Sequence, residues 1–311
     1  MIRRVQNGID EIAKVMIGKE EIIKRIMAAI FAGGHVIIED IPGVGKTTLS
    51  LAISKVLGLN YQRILFTPDI MPQDLQDYSI HCQRFHQDEM EKKTAHLLMA
   101  DEIHRSSPKI QSMLVKMMED KKLKVGDHVT LLSEPYVVIA TQNPLEPEEE
   151  LLPESQMDHF MIGITIGYPD IVSEIQILKQ ENAKEKILSL NEALDIEDVL
   201  EIRNQVKHVY VSEEIYEYIV TIVNRTRNNQ LLETGISPRG SIDILKMSKA
   251  NAYLEGRDYV IPGDVKNIFL DTVSHRVRMS RYAKLENRKE EDILTKILDE
   301  VAVPKVVGRK R

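Results

Sequence analysis

The stretch His35-Val36-Ile37-Ile38-Glu39-Asp40-Ile41-Pro42-Gly43-Val44-Gly45-Lys46-Thr47-Thr48 constrains this chain more than any other. A continuous apolar, β-branched run leads into a tight turn with two glycines, and a helical pattern follows over Thr47–Leu57. Consecutive apolar residues bounded by turn residues mark a strand buried on both faces, which is the signature of a parallel sheet. Similar short runs occur at Arg63–Phe66, Leu97–Ala100 and Tyr136–Ala140, with helical patterns between them, notably Lys109–Glu119. This alternation predicts an α/β domain with a mostly parallel sheet. One segment breaks the pattern: Leu123–Leu131 alternates about Gly126-Asp127 and predicts a β-hairpin. Residues 1–33 read as helical, with Ile9, Ile12, Val15 and then Ile22, Ile23, Ile26 at helical spacing.

Beyond Pro169 strand patterns nearly vanish and amphipathic helical stretches take over. Asp195 is placed to cap a helix beginning near Ile196; Ser212 with Glu214, and Pro262 with Asp264, open two more. The expected organisation is an αβα domain over residues 1–169 followed by a smaller all-α domain over residues 170–311.

Composition narrows the class. The chain has 311 residues and a net charge of -7, which argues against nucleic acid as the main partner. Its one cysteine, Cys82, excludes an intrachain disulfide framework and a Cys-rich zinc site. Asp10, Glu11 and Lys14 interrupt any leader-like apolar run, and no stretch of about 18 apolar residues occurs. The expectation is a soluble, cytoplasmic protein without membrane insertion. Lys121, Lys122 and Lys124 read as a solvated face, and Arg309-Lys310-Arg311 as a solvated terminus.

The glycine-rich turn fits a polyphosphate. Several backbone N–H groups must converge there, which glycine permits without Cβ clashes, and the following helix adds its positive end. Gly43 and Gly45, with Pro42 and Val44 between strand and helix, would cradle the phosphates; Lys46 would reach the β- and γ-phosphates, and the hydroxyl of Thr47, beside Thr48, would ligate Mg²⁺. The spacing departs from G-x-x-x-x-G-K-[ST] only in its first position, where Asp40 stands. The next apolar strand ends in Asp101-Glu102: the first carboxylate would hold Mg²⁺ through water, and the second would orient an attacking water. The run ending in Thr141-Gln142-Asn143 would set Asn143 beside the γ-phosphate. Together these imply ATP or ADP with Mg²⁺ as ligands.

In that order the motifs resemble the MoxR family of AAA+ ATPases over nearly the whole chain. The stretches that carry the resemblance are IGKEEII, HVIIEDIPGVGKT, ILFTPDIMPQDL, LLMADEIHRSSPKIQSMLVKMME, VIATQNPLE, LPESQMDHF, GISPRGSIDIL and GRDYVIPGDV. The resemblance implies an AAA+ αβα P-loop domain, a helical lid with nucleotide in the cleft between them, and a homo-oligomeric ring, usually a hexamer. It makes Lys46 and Thr47 the Walker A pair, Asp101 and Glu102 the Walker B pair and Asn143 sensor 1. Arg239 becomes sensor 2, reaching from the lid to the γ-phosphate. Val15, Ile17 and Gly18 fall where the family builds part of its adenine pocket. It further implies a protein client, of the kind that carries a von Willebrand A domain.

Three departures from the family pattern stand out. His159 occupies the position of the arginine finger, leaving either a weakened cation or another residue in trans, with Arg105 a candidate. His104 replaces an asparagine, and His81–His96 lacks the Gly-Pro that precedes Walker B and reads as a polar insertion. Two functions therefore remain: an ATPase that remodels a protein partner, or a nucleotide-binding switch with weak or no hydrolysis.

Overall fold

The computed structural model describes residues 1–80, 94–147, 151–179 and 183–305. Cys82 with most of the His81–His96 segment, and the Arg309–Arg311 terminus, lie outside the described residues.

The chain opens with helices α1 (Ile2–Ala13) and α2 (Glu20–Ala32). The helical expectation for residues 1–33 is thus interrupted at Lys14–Lys19, where Gly18 adopts φ +70° and Met16 turns inward. Then follow β1 (Val36–Glu39), α3 (Lys46–Val56), β2 (Tyr61–Leu65), α4 (Pro72–Ile80), β3 (Leu97–Asp101) and α5 (Pro108–Asp120). The expected hairpin is present as β4 (Lys122–Val125) and β5 (His128–Leu131), with Val125 paired to His128 across Gly126-Asp127. After it come β6 (Val137–Gln142), a short α6 (Glu154–Met157) and β7 (Ile162–Ile164). Sequence reading missed β7, because three residues with a central Gly163 carry no strand pattern.

The five-stranded sheet has the order β2-β3-β6-β1-β7 and is parallel throughout. Alternation along β1 sorts its residues between two layers. Val36 and Ile38 join Leu97, Met99, Val137 and Ile139 under α1–α3, while Ile37 joins Leu98, Ala100, Val138 and Ala140 under α5. Both faces are therefore covered, the condition under which a parallel sheet is stable.

The C-terminal part comprises α7 (Ile171–Leu178), α8 (Ala183–Ser189), α9 (Ile196–Lys207), α10 (Glu213–Arg227), α11 (Pro238–Leu254), α12 (Pro262–Val273), α13 (Arg281–Leu285) and α14 (Glu290–Glu300). Asp195 caps α9 through a reciprocal bond with Asp198, and Asp264 accepts from the Ile261 N–H at the start of α12. A ribbon of β8 (Leu232–Thr234) and β9 (Arg278–Met279) departs from the all-helical expectation; strands this short show no alternation to read. The apolar layer over α1–α3 continues into α9–α12 and α14, so the two parts share a core. Arg203 of α9 donates to the carbonyl of Ile30 in α2 at 2.8 Å, and Arg25 of α2 pairs with Asp271 of α12 at 2.5 Å. Among the described residues no helix is long and apolar enough to cross a membrane.

Candidate functional site

Because β1, β3 and β6 are parallel neighbours, their carboxyl ends meet on one edge of the sheet, where open α/β sheets bind ligands. The edge collects the Asp40–Lys46 loop, Asp101-Glu102 and Thr141–Asn143.

Gly43 and Gly45 both take positive φ, at +92° and +94°, and a Cβ built on Gly43 would meet nothing within 4 Å. The loop is thus an open cradle of backbone, with Gly45 directly before the first turn of α3, where helix N–H groups lack internal partners. Lys46 donates to the carbonyl oxygens of Asp40 and Ile41. Burial lowers its pKa, opposed by the charges of Asp40, Asp101 and Glu102. Those same charges put Lys46 within electrostatic range of the β3 carboxylates.

Asp40, the departure in the loop motif, is buried and fully used. Its carboxylate accepts from the N–H of Ile41 at 2.8 Å and from those of Ile166 and Gly167, each at 2.7 Å. It ties the start of the phosphate loop to the segment after β7. Met16 packs beneath Gly45, and a Cβ on Gly18 would come within 2.4 Å of the Ser173 hydroxyl in α7. The structure therefore brings Met16 of the Val15–Gly18 turn against the loop and Gly18 against α7.

Asp101 is buried at the end of β3. Its Oδ1 accepts from Thr141 Oγ1 at 2.7 Å, and its Oδ2 accepts from Arg63 Nη2 at 2.6 Å and Nε at 3.1 Å. Each carboxylate oxygen offers two lone pairs, so acceptor capacity remains for a water-linked cation. Glu102 sits in the left-handed region at φ 56°, ψ 45°, a conformation that costs a non-glycine residue about 1 kcal/mol or more. Its N–H donates to Thr141 Oγ1 at 2.9 Å, so one hydroxyl joins both Walker B residues to β6. The Glu102 carboxylate pairs with Arg105 at 3.2 Å, and Arg105 also reaches Glu146 at 3.2 Å. Arg105, the alternative trans cation, is engaged within its own chain. Asn143 follows β6, and its side-chain oxygen accepts from the Leu145 N–H at 3.2 Å, fixing the turn beyond the strand.

Arg239 lies apart from the other expected site residues. It does not approach the phosphate loop of its own chain. It lines a cavity of about 370 Å³ together with Gly34, His35, Glu119 and His159. Gly34 and His35 precede β1, whereas the loop follows it, so the length of the strand, about 13 Å, lies between them. The packing of α11 carries Arg239 to the amino end of the sheet, beside the turn that contains His159. There Arg239 Nη1 lies 2.7 Å from His159 Nδ1, and Nη2 donates to Glu119 Oε1 at 2.6 Å.

Sequence reading missed Arg63, Thr141 and Glu119. Arg63 left a signal, a lone cation inside the β2 run; Thr141 and Glu119 left none, since their roles come from contacts with distant segments. His104 is buried in the turn after β3, consistent with a packing role.

Comparison with known proteins agrees with this geometry. The ATPase family associated with various cellular activities (AAA) matches residues 35–162, and the AAA lid domain matches residues 224–297. The chain is 38% identical to the uncharacterized protein YeaC of Bacillus subtilis over 96% of this chain and 94% of that one. It is 30% identical to Chaperone MoxR1 of Mycobacterium tuberculosis over 98% of this chain and 84% of the other. A crystal structure of a candidate ATPase from Cytophaga hutchinsonii superposes with a TM-score of 0.85 at 32% identity, covering 98% of this chain and 96% of its own. Identity at this level along nearly the whole of both chains, on one shared fold, shows that the chain belongs to the MoxR family of AAA+ ATPases.

Proposed function

We propose that the chain is an oligomeric, Mg²⁺-dependent ATPase that couples hydrolysis to remodelling of a protein partner. The observation that carries this reading is the convergence of Lys46, the Asp101-Glu102 pair and Asn143 on one sheet edge, from the ends of three adjacent parallel strands. Lys46 and the N–H groups of the Gly43–Thr47 turn would hold the phosphates, and Thr47 and Asp101 would hold Mg²⁺, which when bound neutralises charge on the β- and γ-phosphate oxygens. Glu102 would orient the attacking water and accept its proton, with Asn143 fixing the water on the far side of the γ-phosphate.

A cation for the developing charge has to come from elsewhere, because Arg239 lies at the opposite end of β1. A second copy docked with its amino sheet edge against the first copy's nucleotide would supply that residue, which supports a ring. Exposed Ile171, Val172, Ile175 and Leu178 of α7, beside Gly18, give such an assembly apolar surface to cover. The name of the mycobacterial relative supports a chaperone role, and the family resemblance suggests six subunits and a client with a von Willebrand A domain. A cytoplasmic setting agrees with the lone cysteine.

One observation favours the second reading, a nucleotide-gated switch: Arg105 occupies the Glu102 carboxylate. The rate of ATP hydrolysis per subunit, followed against protein concentration, separates the two. A remodelling ATPase should show a specific rate that rises with concentration and vanishes in Glu102→Gln. ATP binding without Glu102-dependent turnover would establish the switch. Mixing Glu102→Gln with Arg239→Ala chains should restore turnover that neither has alone; failure of the mixture would remove Arg239 from the neighbour's site.

A further inference from the structure

His159 occupies a place where sequence reading expects a cation, yet its surroundings assign it a different task. Arginine has donors only, so a guanidinium nitrogen 2.7 Å from His159 Nδ1 makes that ring nitrogen the acceptor. The imidazole is then neutral, with its proton on Nε2. Glu119 Oε1 takes the second terminal nitrogen of the same guanidinium at 2.6 Å and lies 3.2 Å from His159 Nδ1. Arg239 is thus held at two nitrogens by partners from two other segments.

The junction that presents these groups is itself fixed. The Asp158 carboxylate accepts from Ser237 Oγ at 2.9 and 3.0 Å and from Arg276 Nη1 at 2.8 Å. The Phe160 carbonyl accepts from Arg276 Nη2 and from His275 Nε2. The residues flanking His159 are therefore bolted to the residue that caps α11, two positions before Arg239.

We propose that His159 is a positioning residue: its neutral Nδ1, with the Glu119 carboxylate, orients the Arg239 guanidinium toward the nucleotide of an adjacent copy. This rests on the reading of Arg239 as the cation of the neighbouring site. A long, half-exposed arginine samples many rotamers, and fixing two of its nitrogens leaves its remaining donors aimed in one direction. Protonation of His159 would remove the acceptor and set a second positive charge against Arg239. The charged and titratable groups facing the ring are Arg239, Asp243 and Lys246 from α11, Glu119 from α5, Asp158 and Arg276 from the junction, and His35 before β1. Burial and Arg239 lower the His159 pKa, against the pull of Glu119 and Asp158, so the neutral form prevails at neutral pH.

The positioning account and a weakened-finger account predict opposite signs. Turnover should fall as pH drops through a value below 6.5, because the acceptor is lost. His159→Asn, which keeps an acceptor oxygen but cannot titrate, should retain kcat within about threefold at neutral pH and lose the acid limb. His159→Ala should lower kcat by roughly 10–100-fold, the scale of a misplaced group in the reacting geometry. His159→Arg should fall as well, since two guanidinium groups would compete for Glu119. A rise in rate with acid, a gain in His159→Arg and equal losses in Asn and Ala would overturn the proposal. A readout without turnover comes from imidazole ¹H–¹⁵N spectra of the full chain. They should show a bare Nδ1 at neutral pH and a pKa that rises in Arg239→Ala. A protonated Nδ1, or a pKa indifferent to Arg239, would overturn the proposal even if the chain were only a switch. A full rate in Arg239→Ala, with the bare Nδ1 confirmed, would instead refute the trans role of Arg239.

Discussion

Lys46 and Asp40 show how single residues build the glycine-rich loop at the carboxyl edge of the sheet. Lys46 stands at the first position of α3 and donates back across the loop to the carbonyls of Asp40 and Ile41, so its chain already points over the cradle. Asp40 fixes the loop from below through three backbone N–H groups, a task a glycine in that position could not perform. The departure from the motif therefore strengthens the loop's attachment to the segment after β7. Lys46→Ala should remove the charge that meets the phosphates and weaken ATP binding by at least about tenfold, the effect of one charge-assisted bond of 1.5–3 kcal/mol. Titration with a fluorescent nucleotide measures this, with the far-UV spectrum unchanged. Normal affinity in that variant would refute the loop as the phosphate site.

At the scale of elements, the meeting of α11, the turn before β7 and the turn before β9 depends on Arg276. Its side chain is fully buried and pairs with Asp158 at 2.8 Å and Asp243 at 2.7 Å while donating to the carbonyls of Asp158 and Phe160. Burial raises the Asp243 pKa, and the Arg276 charge opposes that rise. Truncation would leave a buried carboxylate without its partner. Arg276→Ala should destabilise the fold by about 3–5 kcal/mol, read as a lower denaturant midpoint. The same element arrangement explains the Walker B geometry. Asp101 lies next to Thr141 because β3 and β6 pair in register, Ala100 opposite Ala140, and next to Arg63 because β2 pairs on the other side, Leu65 opposite Asp101.

In the whole molecule the parallel sheet has two ends of different chemistry, and one half-buried histidine links its layers. His35 accepts from the Val138 N–H at 3.0 Å and donates to the Met118 carbonyl at 3.2 Å, joining β1, β6 and α5. Burial lowers its pKa to about 4, so the folded chain binds this proton less readily than the unfolded chain. Stability from this group is complete above about pH 6.5 and is lost as pH falls toward 4, on the order of 3 kcal/mol in all. His35→Asn keeps an acceptor for the Val138 N–H at the Nδ1 position and does not titrate. The stability advantage of the parent over this variant should therefore shrink by that amount between pH 7 and pH 4 in denaturant melts. An unchanged difference would mean that the histidine is not buried neutral.

Sequence alone determined the parallel α/β class, the hairpin, the starts of the C-terminal helices at Asp195, Ser212 and Pro262, and the three motifs that meet at one carboxyl edge of the sheet. Each of those rests on interactions within a few residues: the period of apolar positions, a glycine-permitted turn, a cap. Parallel strands then bring their carboxyl ends together without further information. Only the tertiary structure decided that Arg63 grips Asp101, that Arg105 closes on Glu102, and that Arg239 lies with Glu119 and His159 at the far end of β1. The Arg63, His159 and Glu119 contacts join segments separated by 38, 80 and 120 positions, and the Arg105–Glu102 pair depends on the turn after β3 in which Glu102 takes a left-handed conformation; local pattern carries no record of them. The direction in which α11 runs along α2 and α12 sets the end of the sheet that Arg239 reaches, and the shared core between those elements sets that direction.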